Sequence, residues 1–414
     1  MSPVNRKVEY RLYPKPKQLE GFDHTLALHQ RLWNAGLEQR IDAYKKQKKS
    51  LSFAYQCKEL TDLRKEFPEY RALNAQSCQV TLKRLDLAFQ HFFRRIKEGQ
   101  TQAGFPRFKS KERFSGFGFK THGDGFRFES SGKHGYLRLS GIGRIRIRGK
   151  ARNWGELRTC EIIRRGDRWY VSVTLRSQPK RQKGTSPIGL DWGLESFATL
   201  ALPNEKYKKI ENPRFLKKSL LRLKSKQQEL ARKKKGSQNR KKAIKKLRKV
   251  HDQVRCQRKN HLHQVSAKII TQASQIATEK LSVKAMTVHG GVYKKGLNRE
   301  ILNTAPAAFI SLLQYKAEEA GTQWIEVPTR KVKPSQTCSG CGRQKKKSLS
   351  ERFHHCSDCG CQLGRDENAA RVMYNWAFAR NVTGWEPSRC GEGALAPLLK
   401  QETLAIAVSQ LGGM

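Results

Sequence analysis

Residues 337–370 read TCSGCGRQKKKSLSERFHHCSDCGCQLGRDENAA. Two Cys-x-x-Cys pairs, Cys338/Cys341 and Cys356/Cys359, flank a basic and polar spacer of 14 residues. Zn²⁺ takes four soft ligands tetrahedrally, and two such knuckles joined by a loop supply them. The spacer is one residue short of the usual range, which a permissive loop absorbs. Two pairs leave no position open for a catalytic water, so the expected metal is structural zinc. A redox Cys-x-x-Cys would need one pair only. Cys361 is a spare donor. Asp366 follows at the start of an expected helix, which sets a carboxylate beside the knuckle.

The charge of the whole chain says what such a carboxylate works on. In 414 residues, 84 Lys and Arg outweigh 35 Asp and Glu, leaving a formal charge of +49. Like charges repel in the compact state, so this excess calls for a polyanionic partner. Duplex nucleic acid carries about one charge per 1.7 Å of axis, so about 20 base pairs carry about 40 charges. An anionic membrane would call for an amphipathic basic helix or a lipidation signal, and the sequence has neither. The N-terminus lacks an apolar core of signal-peptide length, and no apolar run approaches a membrane span. The cysteine pairs fit metal ligation in a reducing cytosol rather than a disulfide framework. Cys57, Cys78, Cys160 and Cys256 are scattered and read as small packing residues.

Residues 7–13, KVEYRLY, alternate like a strand that Pro14 and Pro16 close. Helical spacing follows through Phe22, Leu26, Trp33, Leu37 and Ile41, then over about 54–65 and again over about 72–96. From Gly104, GFPRFKSK interleaves aromatics with Arg107 and Lys109. Period-two runs (FRFES, YLRLS, RIRIRG, TCEIIRR, WYVSVTL) then predict a small β-barrel or sandwich. Gly166-Asp167 reads as a hairpin turn. Arg144, Arg146 and Arg148, alternating outward, suit a phosphate-tracking face. A linker follows over 179–186. Between residues 214 and 259, 20 Lys and Arg face two acids, Glu229 and Asp252, yet leucines and valines keep helical spacing, which predicts a basic helical hairpin over about 213–260. His251, His261 and His263 fall in that helical run without ligand partners and read as contacts or surface. Strands at PIGLDWGLESFATLAL, QIATEKLSV and TQWIEVP, with a helix over 306–320, make this half α/β.

Asp191 lies in an apolar strand, where an acid is costly unless it is paired or binds a metal. Glu279 and Asp366 also stand at element ends, although spacing alone does not single the three out. Such carboxylates hold Mg²⁺, and a pair of these ions about 4 Å apart serves phosphodiester cleavage.

RLYPKPKQ, GFPRFKSK, GLDWG, ENPRFLKKSL with the basic hairpin, TEKLSV, the paired Cys-x-x-Cys and GRDENAA, in this order, resemble the TnpB (OrfB) family of transposon-associated RNA-guided nucleases, related to compact type V CRISPR effectors. The resemblance runs to about residue 380. It implies a multidomain α/β and β-barrel protein: a wedge-type barrel over 1–14 and 103–178, a helical recognition insert over 15–102, and a RuvC-like nuclease of RNase H fold over 187–335 and 362–381. A zinc ribbon over 336–361 interrupts the nuclease, and 382–414 would be a disordered tail. Carried over, Asp191, Glu279 and Asp366 form a Mg²⁺-binding (or Mn²⁺-binding) acidic triad. Trp192 is bulkier than the small aliphatic usual at its position. The resemblance further implies a guide RNA from the transposon end and double-stranded target DNA cut beside a short adjacent motif; the location expected is the prokaryotic cytoplasm, at the nucleoid, and the oligomeric state is left open with a monomer favoured. Nucleic-acid contacts are expected at Phe53, Gln76, Gln79, Lys120 and Thr121, as well as at Arg107 and Lys109. A DNA-binding transposase, or a non-catalytic nucleic-acid-binding accessory protein, would carry many of the same features.

Overall fold

The computed structural model describes residues 3–100, 102–151, 153–288, 290–348 and 351–379, so the expectation for the 382–414 tail lies outside the described residues. The chain divides into two compact units, Met1–Arg181 with Ser225–His251, and Gln182–Lys224 with Asp252–Met414.

In the first unit, β1 (Val4–Tyr13) leads into four helices, α1 (Pro16–Gln47), α2 (Phe53–Glu66), α3 (Pro68–Ala72) and α4 (Ala75–Lys97). Six strands follow: β2 (Gly116–Phe119), β3 (Phe126–Glu129), β4 (Gly135–Leu139), β5 (Gly143–Arg148), β6 (Glu156–Arg165) and β7 (Arg168–Ser177). The helix expected over about 72–96 starts later, at Ala75. Asn74 supplies the reason, because its side chain accepts from Ser77 N at 3.0 Å and caps α4. Pro68 starts the separate short helix α3.

The seven strands form one antiparallel sheet in the order β2-β6-β7-β1-β5-β4-β3. The N-terminal strand is central, as its alternation with Tyr10 and Leu12 buried requires. The outermost strands β2 and β3 are consecutive in the chain, and the rings of Phe119 and Phe126 lie 6.1 Å apart. The sheet is therefore curled into a nearly closed barrel. Its inward residues, among them Phe117, Leu137, Ile145, Ile147, Val171 and Val173, are buried with Phe22, Trp33, Leu37 and Leu85 of α1 and α4. The arginines between them on β5 stay outside.

In the second unit, β8 (Ser186–Trp192), β9 (Ser196–Ala201) and β10 (Tyr207–Glu211) form an antiparallel meander. The helices α5 (Phe215–Ala231) and α6 (Gln238–Ile270) make the basic hairpin, whose Ser225–His251 portion belongs to the first unit. An apolar stripe through Leu223, Ala243, Val250 and Val254 is buried, and Glu229 ties the two helices by accepting from Lys226 at 2.7 Å and Lys246 at 2.8 Å. Then come β11 (Ala273–Glu279), α7 (Val283–Met286), α8 (Val292–Thr304), α9 (Pro306–Ala320), β12 (Gln323–Val327) and α10 (Thr329–Val332). α8 begins within the glycine-containing stretch HGGVYKKG, a composition that disfavours helix. The described residues end with the hairpin β13 (Phe353–His355) and β14 (Gln362–Gly364), the helix α11 (Arg365–Tyr374) and a π-helical turn, Asn375–Ala379. The hairpin strand β14 runs past Cys361, to Gly364.

The main sheet of this unit has the order β10-β9-β8-β11-β12, with β11 parallel to β8 and β12 parallel to β11. One face carries Ile188, Leu190 and Ile276 against Phe309 and Leu313 of α9. The other carries Ala277 and Val327 against Val372 and Met373 of α11. Strands covered on both faces become apolar runs rather than alternating ones, as PIGL and QIAT are. Among the described residues no helix is long and apolar enough to cross a membrane.

Candidate active site and metal centre

β8 and β11 pair with Leu190 opposite Thr278, so Asp191 and Glu279 follow side by side on neighbouring parallel strands and point to the same face. That face is the one α11 covers. The helix can lie close because Gly189 sits beneath it: a Cβ there would fall 2.3 Å from the Ala370 carbonyl oxygen and 2.8 Å from the Tyr374 Cβ. Two residues beyond Gly189 is Asp191, and one turn ahead of Ala370 is Asp366. Asp366 Oδ2 lies 3.6 Å from where a Gly193 Cβ would stand. The three acids from residues 191, 279 and 366 thus share one end of the sheet.

Their protonation reflects that crowding. Burial raises the Asp191 carboxyl well above its usual range, Glu279 and Asp366 raise it further, and Arg365 opposes them. Burial also raises Glu279. Asp366 is raised by burial and by Glu195, against the pull of Arg352, Lys209 and Arg365. Burial thus disfavours the charged form of all three acids, and Asp191 also feels its two acidic neighbours; a cation bound among them would offset both. Hard carboxylate oxygens on a rigid sheet fit Mg²⁺ or Mn²⁺.

Cations rim the site without filling it. Lys209 holds Glu367 at 3.1 Å, and Glu367 accepts from Gly364 N at 3.0 Å, which seats the first turn of α11. Arg352 pairs with Glu195 at 3.6 Å. Glu195, Arg214, Lys217, Arg299 and Arg352 line an open pocket of about 600 Å³ alongside. Sequence reasoning did not single out Glu195 or Arg352, because neither sits in a motif of its own. Trp192 points the other way, into the core, with its indole N–H unpartnered.

The knuckle lies against the same helix. Sγ atoms of Cys338, Cys341, Cys356 and Cys359 all lie within 4.8 Å of one another, with Cys338–Cys359 and Cys341–Cys356 both at 3.6 Å. Tetrahedral Zn–S bonds of about 2.3 Å place sulfurs about 3.8 Å apart, so the four cysteines fit the metal. Cys361 falls in a separate group with Cys338 and His354. Asn368 of GRDEN, which sequence reasoning passed over, couples knuckle to helix. Fully buried, it accepts from Ser339 N at 2.9 Å and donates to Thr337 O at 2.7 Å. Asn375 donates to Ser339 O at 2.8 Å from the same side.

The remaining expected residues lie in the first unit. Phe53 starts α2 with Lys83 Nζ 4.9 Å above its ring, Gln76 and Gln79 lie on the first turns of α4, and Lys120 and Thr121 are exposed just after β2. Burial raises the Cys57 thiol of α2, and the nearby charge of Lys120 opposes it. Arg107 is exposed. Lys109 is half-buried, its ammonium 3.5 Å above the Trp33 ring and its backbone fixed by Asn34, so much of it is committed to packing. His261 packs its ring against Phe197 and Phe215 and carries no metal partner among the described residues.

Residues 170–289 match a family model described as OrfB_IS605, "Probable transposase"; residues 307–373 match the Cas12f1-like TNB domain; and residues 1–49 match the helix-turn-helix domain of OrfB_IS605. A Streptomyces pristinaespiralis protein named "Putative RNA-guided DNA endonuclease" is 28% identical over 404 residues, covering 95% of this chain and 92% of its own. The similarly named InsQ of Escherichia coli K12 is 28% identical, covering 72% of this chain and 73% of its own. A TnpB-like protein of Acanthamoeba polyphaga mimivirus, L79, is 29% identical over 223 residues, covering 49% of this chain and 40% of its own. Among solved structures, the Cas12f1 chain of a Cas12f1–sgRNA–target DNA complex superposes with a TM-score of 0.58 at 14% identity, covering 90% of this chain and 99% of that one, which establishes a shared fold. By these matches, in order along its length, the chain is similar to proteins of the OrfB and TnpB-like kind.

Proposed function

We propose that the protein is an RNA-guided DNA endonuclease of a transposon. It binds a guide RNA derived from the transposon end and cuts target DNA beside a short adjacent motif. The observation that carries this reading is the meeting of Asp191, Glu279 and Asp366 from two parallel strands and a crossing helix. The strand order of the second unit, three antiparallel strands followed by two parallel ones, supports a RuvC-like nuclease of RNase H type. The barrel with its helical insert supports a wedge and recognition lobe, and the four-cysteine knuckle supports a zinc ribbon.

Bound at the acids, Mg²⁺ would supply a lowered water pKa and charge stabilisation at the leaving oxygen. The chain's own part is positional. Asp191 and Glu279 sit at fixed register on neighbouring strands, and Asp366 is delivered by α11 through the Gly189 contact. Each of the three is half-buried, so a bound cation gains more from them than from fully exposed carboxylates. Base pairing with the guide would read most of the target sequence, leaving the protein to read the motif and the duplex shape.

The test is Asp191→Ala. It should abolish cleavage of guide-matched DNA while guide RNA still co-purifies; persistent cleavage would sink the assignment of the acids. The transposase reading is favoured by the description of the matched family model. It predicts joining of transposon ends and no uniform co-purifying RNA, so sequencing the bound RNA separates the two.

A further inference from the structure

On the outer face of the barrel, β3 and β4 place Arg127 directly opposite Arg138, and β4 and β5 extend the row to Arg144. All three side chains are exposed. Arg144 is satisfied, since it holds Glu129 at 2.7 Å and lies 3.7 Å above the Tyr136 ring. Arg127 and Arg138 make no ion pair among the described residues. Like charges directly opposite on an antiparallel pair destabilise it. The nearest acid on this face, Glu129, is taken by Arg144, so among the described residues no anion faces the Arg127–Arg138 pair.

The two arginines line a pocket of about 410 Å³ with Ser140, Phe126, Leu139 and the glycines 123, 125, 141 and 143. These four glycines all have positive φ, from 75° to 93°. Their bare backbone leaves the floor open where side chains would crowd a ligand. The rim is thus cationic, the floor is stripped of side chains, and no acid lines the pocket.

We propose that this pocket seats a phosphodiester group of a bound nucleic-acid strand, gripped between Arg127 and Arg138. The guanidinium fork matches phosphate oxygens bidentately, and an anion between two facing guanidinium groups turns their repulsion into attraction. The pocket lies a few residues along the chain from Lys120 and Thr121, the exposed residues after β2 expected to contact the adjacent motif. The site fixes register rather than reading bases. The inference rests on the nucleic-acid-binding function proposed above. The strand can come from the guide RNA or from the target DNA, and both present the same phosphodiester.

The experiment uses the full chain carrying Arg127→Gln, Arg138→Gln or both, with Arg127→Lys and Arg138→Lys as charge-preserving controls. Binding is titrated across salt concentrations, first for guide RNA on the RNA-free protein, then for target duplex on the RNA-loaded complex. Loss of a phosphate contact lowers the slope of log affinity against log salt by about 0.7 for a single strand and about 0.9 for a duplex. The Gln variants should show that reduction in one of the two titrations, which identifies the strand, and the Lys variants should keep the wild-type slope. The RNA-free double variant should also melt at or above the wild-type temperature, because its repulsion is gone. Unchanged slopes in both titrations overturn the proposal. A wild-type protein that binds neither nucleic acid would instead overturn the functional reading on which it rests.

Discussion

Gly189 and Ala370 are in backbone contact: a methyl group on Gly189 would stand 2.3 Å from the Ala370 carbonyl oxygen, so helix α11 can lie on strand β8 only while residue 189 has no side chain. The first glycine of GLDWG therefore sets the height of Asp366 above Asp191. We expect Gly189→Ala to lift α11 and destabilise the protein by about 1–3 kcal/mol, the usual range for overpacking. Guide-directed cleavage should fall far more steeply than the loss of folded protein explains. Melting temperature and single-turnover cleavage, measured on the same preparation, check this. A variant that melts lower yet cuts at the wild-type rate would detach the glycine from the site.

Asp191→Asn removes one of three mutually repelling acids. In the metal-free protein, folding raises the carboxyls of Asp191, Glu279 and Asp366 above their ordinary values. The folded state then holds more protons than the unfolded one above the ordinary carboxylate range, so stability falls as pH rises through the folded titrations. Asp191→Asn should therefore raise the melting temperature in EDTA at neutral pH while cleavage is lost. Adding Mg²⁺ should stabilise the wild type more than the variant, by linkage. Thermal melts with EDTA and with Mg²⁺, at pH 5 and pH 8, read both effects.

The pieces of the site were legible in the sequence to different degrees. The four cysteines announce themselves because zinc ligation imposes a local spacing. The barrel strands are readable because one face is buried and the other solvated, which prints alternation into RIRIR and YVSVTL. The acids were harder to find. Asp191, Glu279 and Asp366 are brought together by a parallel strand pairing and a helix crossing at Gly189, neither of which leaves a local pattern. They became visible through the resemblance of GLDWG, TEKL and GRDEN to a family. Asn368 was invisible for a related reason: a buried amide satisfied by two backbone groups of a distant loop looks, in sequence, like any helical asparagine. Helix α8 was hidden by the glycines of HGGVYKKG, whose low helix propensity the tertiary packing of Ile301 overrides.

Asn368 joins the knuckle to α11, so metal loss should be felt at the acids. Cys356→Ser should release zinc, lower the melting temperature and raise proteolytic sensitivity around 337–370, because ligand loss removes folding free energy. Asn368→Ala should retain zinc under mild conditions yet leave Ser339 N and Thr337 O unpaired, at a cost of about 1–3 kcal/mol. Zinc content by mass spectrometry, set beside cleavage rate, distinguishes them. Zinc-replete Asn368→Ala with wild-type cleavage would show that the knuckle and the acids are mechanically independent.

His29 makes the packing of α1 on α4 acid-sensitive. Its ring is fully buried, stacked on Phe117 with centroids 5.2 Å apart, and its two nitrogens face Thr81 Oγ1 at 2.9 Å and Ser77 Oγ at 3.1 Å. Burial, with a smaller push from Arg84, lowers its pKa to about 3. The folded protein therefore keeps the imidazole neutral, whereas the unfolded chain takes up a proton near pH 6.5. Above pH 6.5 neither state is protonated and His29 adds no pH dependence. As pH falls from 6.5 toward 3 the unfolded state binds the extra proton, and stability drops by about 1.4 kcal/mol per pH unit. His29→Gln cannot titrate. It should start less stable at pH 7.5, having lost the stacking and part of the hydrogen bonding, but its stability should fall less steeply between pH 6.5 and pH 5. Urea unfolding of both proteins across that interval gives the difference in slope, and parallel slopes would show that the ring is already protonated in the folded state.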